Sequence, residues 1–449
     1  MNRNCQRSFH LPYLLWISTF LGLATSTFGQ SLETNALKYD TYRMRLLQGF
    51  VRVGPQPGES LVAGIRNYGY TGSHDIDYGD QTIYQGWYIG VLATEYARLR
   101  KQEQPTSTTL SELYYALQAV NRLDLAGEQL IQAWDAKAEL NGYLVREDVP
   151  VAFFENPSVQ GSAHPHFGWP EVKKVRAIAQ HPAEAERRLN NEMSQDQVYH
   201  LLIGLALTRR FLPDSMVNIS LLDGQTEGVN LQKTAQEIAL RIGMRLRENR
   251  WIIRNPIGKK VKRGPNCKPY SYALAEAVEY ITDQSVQNGF SRVSKLVWQS
   301  LRNVGSAAFA NKDNRHMALA VGAVGDAWRA KKETPRNQKK AGLVIARLSK
   351  AEGWQGFYPL LWAVIHDREL PDVLSVTEEN LDNAPVNGPY WYSPDQQSGK
   401  GWGCSHRYYH HLEDQMGLRP NGDFYAFSGY YSGVDYLLLY NLWWLQTQR

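Results

Sequence analysis

DIDYGDQTIYQGWYIGVLATEYARLRK, residues 75–101, opens on three carboxylates (Asp75, Asp77, Asp80) and closes on three basic side chains (Arg98, Arg100, Lys101). Acids before a helix and bases in its last turn both complement the helix dipole. Between these ends the only charge is Glu95, so the stretch predicts a helix over Gln81–Lys101 that is apolar enough to belong inside a larger body.

Working outward, the same rhythm recurs. Apolar residues at helical spacing predict helices over Leu32–Phe50, Thr108–Glu139 and Ser194–Arg210, the last two opened by Thr or Ser caps. A charged, peripheral helix is expected over Glu171–Asn191. Further helices are expected over Leu231–Asn249, Tyr270–Thr282, Ser291–Asn303, Asn314–Lys331, Asn337–Lys350, Gly353–His366, His406–Met416 and Ser432–Thr447. Period-2 patterns are scarce, and only Tyr143–Val151 is a fair strand candidate. Three long connections, 51–80, 141–170 and 367–405, carry aromatic and acidic residues unlike a disordered composition, so they read as ordered loops on one face of a helical body.

Composition agrees. The chain has 449 residues, 43% hydrophobic and 21% charged, which excludes a disordered protein, and three cysteines exclude a disulfide-framework domain. The formal net charge is +5, of which Arg3 and Arg7 supply two, too little for a nucleic-acid footprint or for attraction to an anionic membrane. Residues 1–29 run from these arginines through the apolar Leu11–Ala24 to Thr27 and Gly29, the order of a secretory signal peptide cleaved near Gly29. An uncleaved anchor is the other reading. Cys5 precedes the apolar run, which argues against a lipoprotein. The mature protein is therefore expected to be exported, periplasmic or secreted, as one domain over 30–449. In an oxidising compartment Cys267 and Cys404 either pair or stay two separate buried thiols. Val434–Leu445 is too short for a membrane span and holds Asp435 and Asn441, so a core helix is expected and no stable membrane insertion.

About a dozen helices in hairpins, with the stretches DIDYGDQTIYQGWYIGVLATEYARL (75–99), TLSELYYALQAVNRLD (109–124), MSQDQVYHLLIGLAL (193–207) and SGVDYLLLYNLWWL (432–445), resemble an all-α, (α/α)6 toroid. More closely, the pattern resembles exported bacterial six-hairpin proteins that include glycoside hydrolases and polysaccharide lyases. The resemblance is at the level of the scaffold. It implies a carbohydrate ligand held at the loop-bearing face, and it carries no signature of one enzyme family.

Three constellations can carry chemistry. His74-Asp75-Ile76-Asp77-Tyr78-Gly79-Asp80 crowds carboxylates at a helix entrance, which suits paired acid and base work on a glycosidic bond; N-capping by Asp80 is the structural alternative. Asp196 and His200 stand four apart on one face of the helix that Ser194 opens, as an acid orienting an imidazole or as a first-turn acid beside a core histidine. In Cys404-Ser405-His406-Arg407-Tyr408-Tyr409-His410-His411-Leu412-Glu413-Asp414, the residues His406, His410 and Glu413 share a stripe. Arg407 stands where HExxH would need its base, and although some toroidal enzymes bind zinc through cysteines and a histidine, the motifs around Cys404, His406 and Cys267 do not match. A polar lining of the central cavity, with His and Tyr as general base and acid, is the reading, with no metal and no cofactor. Trp87, Trp391, Tyr392, Trp402 and Tyr408 are candidate sugar platforms, because flat rings with polar edges fit sugar faces.

Weaker signals remain. Asn218-Ile219-Ser220 is a chance-prone glycosylation sequon. Lys259-Lys260-Val261-Lys262-Arg263 reads as a solvated turn, with contact to an acidic sugar as its second reading. There is no P-loop, dinucleotide fingerprint or G-x-S-x-G. Two functions follow: an exported hydrolase or lyase, or a non-catalytic glycan- or partner-binding scaffold. The first expects Asp77, Asp80, Asp196, His200, His406, His410 and Glu413 to gather around one aromatic-lined cavity; the second expects each to cap or pair locally.

Overall fold

The computed structural model describes residues 32–68, 74–131, 137–150, 174–176, 191–287, 322–325, 345, 356–384, 386 and 429–449. Helix dominates and strands are few. The helices are α1 (32–49), α2 (Gln81–Lys101), α3 (Ser107–Ile131), α4 (Gln195–Phe211), α5 (Leu231–Glu248), α6 (Ser271–Thr282), α7 (Phe357–His366), α8 (Pro371–Asp382) and α9 (Val434–Thr447). Residues 322–325 and 345 are helical as well.

α2 has the bounds its charges predict. Every residue from Gln81 to Tyr96 is buried, so this helix has neighbours on all sides. The reason lies in its glycines. A Cβ on Gly86 would stand 2.3 Å from the His200 carbonyl oxygen of α4, and one on Gly204 of α4 would stand 2.2 Å from the Gly86 oxygen. Only two bare backbones can approach that closely. Gly86 meets His200 and Gly90 meets Leu207, so α2 and α4 run in the same direction.

Other contacts fix the remaining directions. Asn441 Nδ2 of α9 donates to Val91 O (3.2 Å) and Thr94 Oγ1 (3.2 Å) of α2, and Lys101 reaches Gln448, so α9 is parallel to α2. Tyr199 lies on Tyr270 at 5.7 Å and Arg209 donates to Asp283 at 2.9 Å, which makes α6 parallel to α4. Phe357 sits against Trp87 at 5.9 Å while Arg210 Nε reaches Val364 O at 3.3 Å, so α7 follows the same direction. Residues 322–325 lie between α6 and α7, with Gly325 against Ala273 and the Ala323 carbonyl 3.2 Å from His366 Nε2. By contrast, α3 returns beside α2, since Tyr88 meets Glu112 and Glu95 meets Thr109. α1 opposes α9 through Tyr39–Tyr440 and Tyr42–Tyr436. Trp87, Trp251, Trp362 and Trp443 are among the largest fully buried side chains.

A four-stranded sheet, in the order β3-β2-β1-β6, lies at the end where α2 and α9 begin. β1 (Ile65–Tyr68) pairs antiparallel with β2 (His74–Asp77) and with β6 (Gly429–Tyr431), and β2 pairs parallel with β3 (Lys174–Arg176). β2 leads directly into α2 and β6 into α9. A separate hairpin joins β4 (Val217–Ser220) to β5 (Thr226–Val229) through Asp223-Gly224, where Gly224 has φ +85°.

Several expectations need correction. The connection 51–80 carries two strands. Lys174–Arg176 is a strand within the segment expected as the helix Glu171–Asn191, because it pairs with β2. The helix expected to reach Glu139 stops short of it: it is described over Ser107–Ile131, and residues 137–140 are not helical. The strand expected over Tyr143–Val151 does not form over 143–150, where side chains satisfy much of the backbone. Arg146 N donates to Asn191 Oδ1 (2.9 Å) and Val149 N to Glu147 Oε2 (2.6 Å). Residues 143–149 are all buried, so no inside–outside alternation exists. The connection 367–405 begins with α8, signalled by Pro371 and Asp372 in its first turn and by buried Val373, Thr377 and Leu381. The helices expected over 291–303 and 406–416 lie outside the described residues. Among the described residues no helix is long and apolar enough to cross a membrane, and α9 is a core helix, as expected.

A buried ionic cluster joins α1, α2 and α3. Arg43 donates from Nε to Glu95 Oε2 (2.8 Å) and from Nη2 to Glu112 Oε1 (3.0 Å). Thr109 Oγ1 donates to Glu95 (2.7 Å), the Tyr88 hydroxyl to Glu112 (2.7 Å), and the Tyr39 hydroxyl to Glu95. Burial alone would push Glu95 up. The Arg43 charge and the hydrogen bonds from Arg43, Tyr39 and Thr109 outweigh it and hold this carboxyl below the usual range.

Candidate functional site

Parallel helices bring their starts to one end, and that end collects the sequence-predicted acids. Asp80 occupies the N-cap position of α2, yet its side chain makes no capping bond. Its carboxylate, 35% exposed, instead meets Arg146 Nη1 at 3.2 Å. Arg146 is nearly buried and fixed on three sides. Nε donates to Glu192 O (2.8 Å), Nη1 also reaches Gly79 O (3.4 Å), and its own carbonyl accepts from Thr82 Oγ1 (2.9 Å). The segment 143–150 is thereby threaded between the start of α2 and residues 191–194.

α4 begins beside it. Ser194 N donates to Gln197 Oε1 (3.0 Å), half of a capping box. Asp196 Oδ1 accepts from Gln197 N (3.1 Å) and from the Ser194 hydroxyl. Asp196 is half-buried, and four residues on His200 is wholly buried. The His200 contact is to the main chain of its partner: Nδ1 lies 2.7 Å from the Asp196 carbonyl oxygen. A carbonyl can only accept, so Nδ1 carries a proton and donates it to this bond. Trp87 packs edge-on against this imidazole at 5.2 Å and against Tyr84 at 6.2 Å, fully buried between α2, α4 and α7.

Cys267 is a free, buried thiol beside Tyr199. Burial, supplemented by the charge of Asp196 and partly opposed by a hydrogen bond with Tyr199, pushes it up to about 12. It is therefore a packed thiol and not a thiolate nucleophile. Asp77 ends β2, opposite Ile65 and Arg176, three residues before Asp80. His406, His410, Glu413, Trp391, Tyr392, Trp402, Tyr408 and Cys404 lie outside the described residues. Among the described residues no group of three or more His, Cys, Asp or Glu is arranged to hold a metal ion.

Of the seven expected catalytic residues, the structure thus places Asp77, Asp80, Asp196 and His200 at one end of the helical body. It adds Arg146, Asn191 and Glu192, which sequence reasoning left in a loop and at the edge of a peripheral helix. Their one sequence signal is the charged run Arg146-Glu147-Asp148 inside an apolar stretch. No family model, curated protein or solved structure matches the chain.

Proposed function

We propose that the chain is an exported carbohydrate-active enzyme, a glycoside hydrolase or polysaccharide lyase, built on an (α/α)6 toroid and working at the end where its inner helices begin. Support for the toroid comes from direction. α2, α4, α6, α7 and α9 run one way, residues 322–325 touch both α6 and α7, and α1 and α3 run antiparallel to α9 and α2. The enzymatic reading rests on a single observation. Asp80 and Asp196, distant in sequence, are partly exposed at the starts of two helices that Gly86 and Gly204 press together.

In a hydrolase, one such carboxyl protonates the glycosidic oxygen while the other carboxylate works on the anomeric carbon from the opposite side. In a lyase, a neutral imidazole or a tyrosine takes the proton beside a uronate. Asp77 and the His406–Glu413 stripe are proposed to complete the set, with Trp391, Tyr392, Trp402 and Tyr408 holding the sugar. One observation favours the second reading, a non-catalytic glycan-binding scaffold: Asp80 is paired with Arg146, and Asp196 already serves Ser194 and Gln197.

Incubation of the mature protein with a panel of polysaccharides decides between them. Reducing ends, or the ultraviolet absorbance of unsaturated products, are expected. Asp80→Asn and Asp196→Asn are each expected to lower the rate by about 100-fold or more at unchanged melting temperature. Glycan binding without product by the unaltered protein would leave the scaffold reading, and full activity in both variants would move the site elsewhere. Export rests on the charge–apolar–small order of residues 3–29. The intact mass of the exported protein is expected to begin near Gln30, and retention of residues 1–29 would make that segment an anchor.

A further inference from the structure

Residues 251–268 hold six basic side chains and no acid. In a chain whose net charge is only +5, this is a local concentration. The structure shows where it goes. The segment folds back on itself through antiparallel bridges Ile252–Asn266 and Arg254–Lys260. Asn255 closes the tip, its carbonyl accepting from Gly258 N (2.9 Å) and its side chain from Lys259 N (2.9 Å), with Gly258 at φ +77°. Trp251, Ile253, Val261 and Cys267 turn inward and are buried, while Arg254, Lys259, Lys260, Lys262 and Arg263 are exposed. Exposed Lys260, buried Val261 and exposed Lys262 show the two-residue alternation of extended chain. None of the five exposed cations forms an ion pair among the described residues; Arg254 donates only to the Gly258 carbonyl, at 2.9 Å.

This rim is rigidly attached to the candidate site. Glu192 is the anchor, accepting from Asn255 Nδ2 (3.0 Å) on one oxygen and from Lys262 N (3.0 Å) on the other. Gly264 O accepts from Gln195 N at 2.9 Å, so the rim also serves the first amide of α4, next to Asp196. The carbonyl of the same Glu192 holds Arg146, which holds Asp80. One run of bonds therefore connects the cationic rim to both partly exposed carboxylates.

A solvated turn needs neither five cations without an acidic partner among the described residues nor a buried glutamate to fix them. We propose that Arg254, Lys259, Lys260, Lys262 and Arg263 form an anionic-polysaccharide rim that takes the carboxylate groups of a polyuronate as the chain enters the site. The proposal rests on reading that site as a carbohydrate site. A polyuronate suits the geometry because it brings one charge per sugar to a short row of single cations. A nucleic acid needs a basic surface spread over a wider face.

The test is binding of the mature protein to polygalacturonate, neutral dextran and a single-stranded oligonucleotide, with and without the quadruple change Lys259→Gln/Lys260→Gln/Lys262→Gln/Arg263→Gln. All four side chains are exposed, and an unchanged melting temperature checks the fold. Polygalacturonate is expected to bind most tightly, to weaken with added salt, and to lose about tenfold or more in affinity in the variant, with a shallower salt dependence. This result supports the rim whether or not the polymer is cut, so it stands apart from the catalytic reading. Equal binding by dextran, undiminished binding by the variant, or tighter binding of the oligonucleotide would each overturn it. So would a protein that cleaves polygalacturonate with the same KM after the quadruple change, although the catalytic reading would then survive.

Discussion

Gly204→Ala is expected to destabilise the protein by about 3 kcal/mol or more, the upper range for forcing atoms into a packed core. The sign is what makes the result informative. In an ordinary helix interior, Gly→Ala gains about 1 kcal/mol, because alanine has the better helix propensity. Here the new methyl would stand 2.2 Å from the Gly86 carbonyl oxygen, and backbone cannot move aside as a side-chain tip can. Gly86→Ala meets the His200 carbonyl at 2.3 Å and is expected to behave likewise. Gly90→Ala is the control. Its nearest contacts would be the ends of Leu207 (3.0 Å) and Leu438 (3.4 Å), which can yield, so a change within about 1 kcal/mol is expected. Urea unfolding of the three variants reads all of this. Stabilisation of Gly204→Ala would mean that α2 and α4 do not meet backbone to backbone, and the placement of Asp80 and Asp196 at the starts of two packed helices would lose its basis.

Arg43→Met carries the second large effect. The change leaves Glu95 and Glu112, with side chains 7% and 5% exposed, buried without their shared cation. Removing one partner of a buried ionic group costs about 3–5 kcal/mol. Replacing all three charges, Arg43→Met/Glu95→Gln/Glu112→Gln, is expected to recover much of that loss, because no lone charge remains. A pH dependence follows from Glu95. Its carboxyl is held below the ordinary range in the folded state, so its stabilising contribution is present above the unfolded value of about 4.3 and is lost as pH falls through the lower folded value. The stability gap between the unaltered protein and Arg43→Met is therefore widest near neutrality and narrows below about pH 4. A gap that stays constant down to pH 3 would show that Arg43 acts through packing alone.

Legibility in the sequence followed the range of the interactions. The bounds of α2 could be read because the signals lie within it: acids before, bases in its last turn. The start of α4 could be read from Ser194 and Asp196 for the same reason. Two other signals are equally local. Pro371-Asp372 opens α8, and Asp223-Gly224 turns the β4–β5 hairpin. The strands β1, β2, β3 and β6 are of another kind. Each is three or four residues long, too short for a period to show, and β1 pairs with β6 from the far end of the chain. The segment 143–150 misled because its apolar run comes from burial on all sides and not from a sheet face.

The candidate site divides in the same way. Asp80 and Asp196 stood out because acids at the start of apolar helices have few reasons to be there. That Asp80 would decline the capping role and pair with Arg146 depended on where a distant segment was threaded. The basic run Lys259–Arg263 was visible as charge, but its position beside α4 was set by the two oxygens of Glu192.

What the sequence alone determined is the helical body, its element bounds where caps and charges are local, and the residue types available for chemistry. Propensity, capping and dipole terms act within a turn or two of chain, so they are written where they operate. What only the tertiary structure decided is which helix starts share an end, which acid meets which base, and which surface carries the exposed cations of the 251–268 segment. The first of those outcomes depends on two glycines allowing α2 and α4 to touch, an approach that is a property of two backbones together and that neither segment encodes by itself; the other two depend on Arg146 and Glu192 meeting residues far away in the chain.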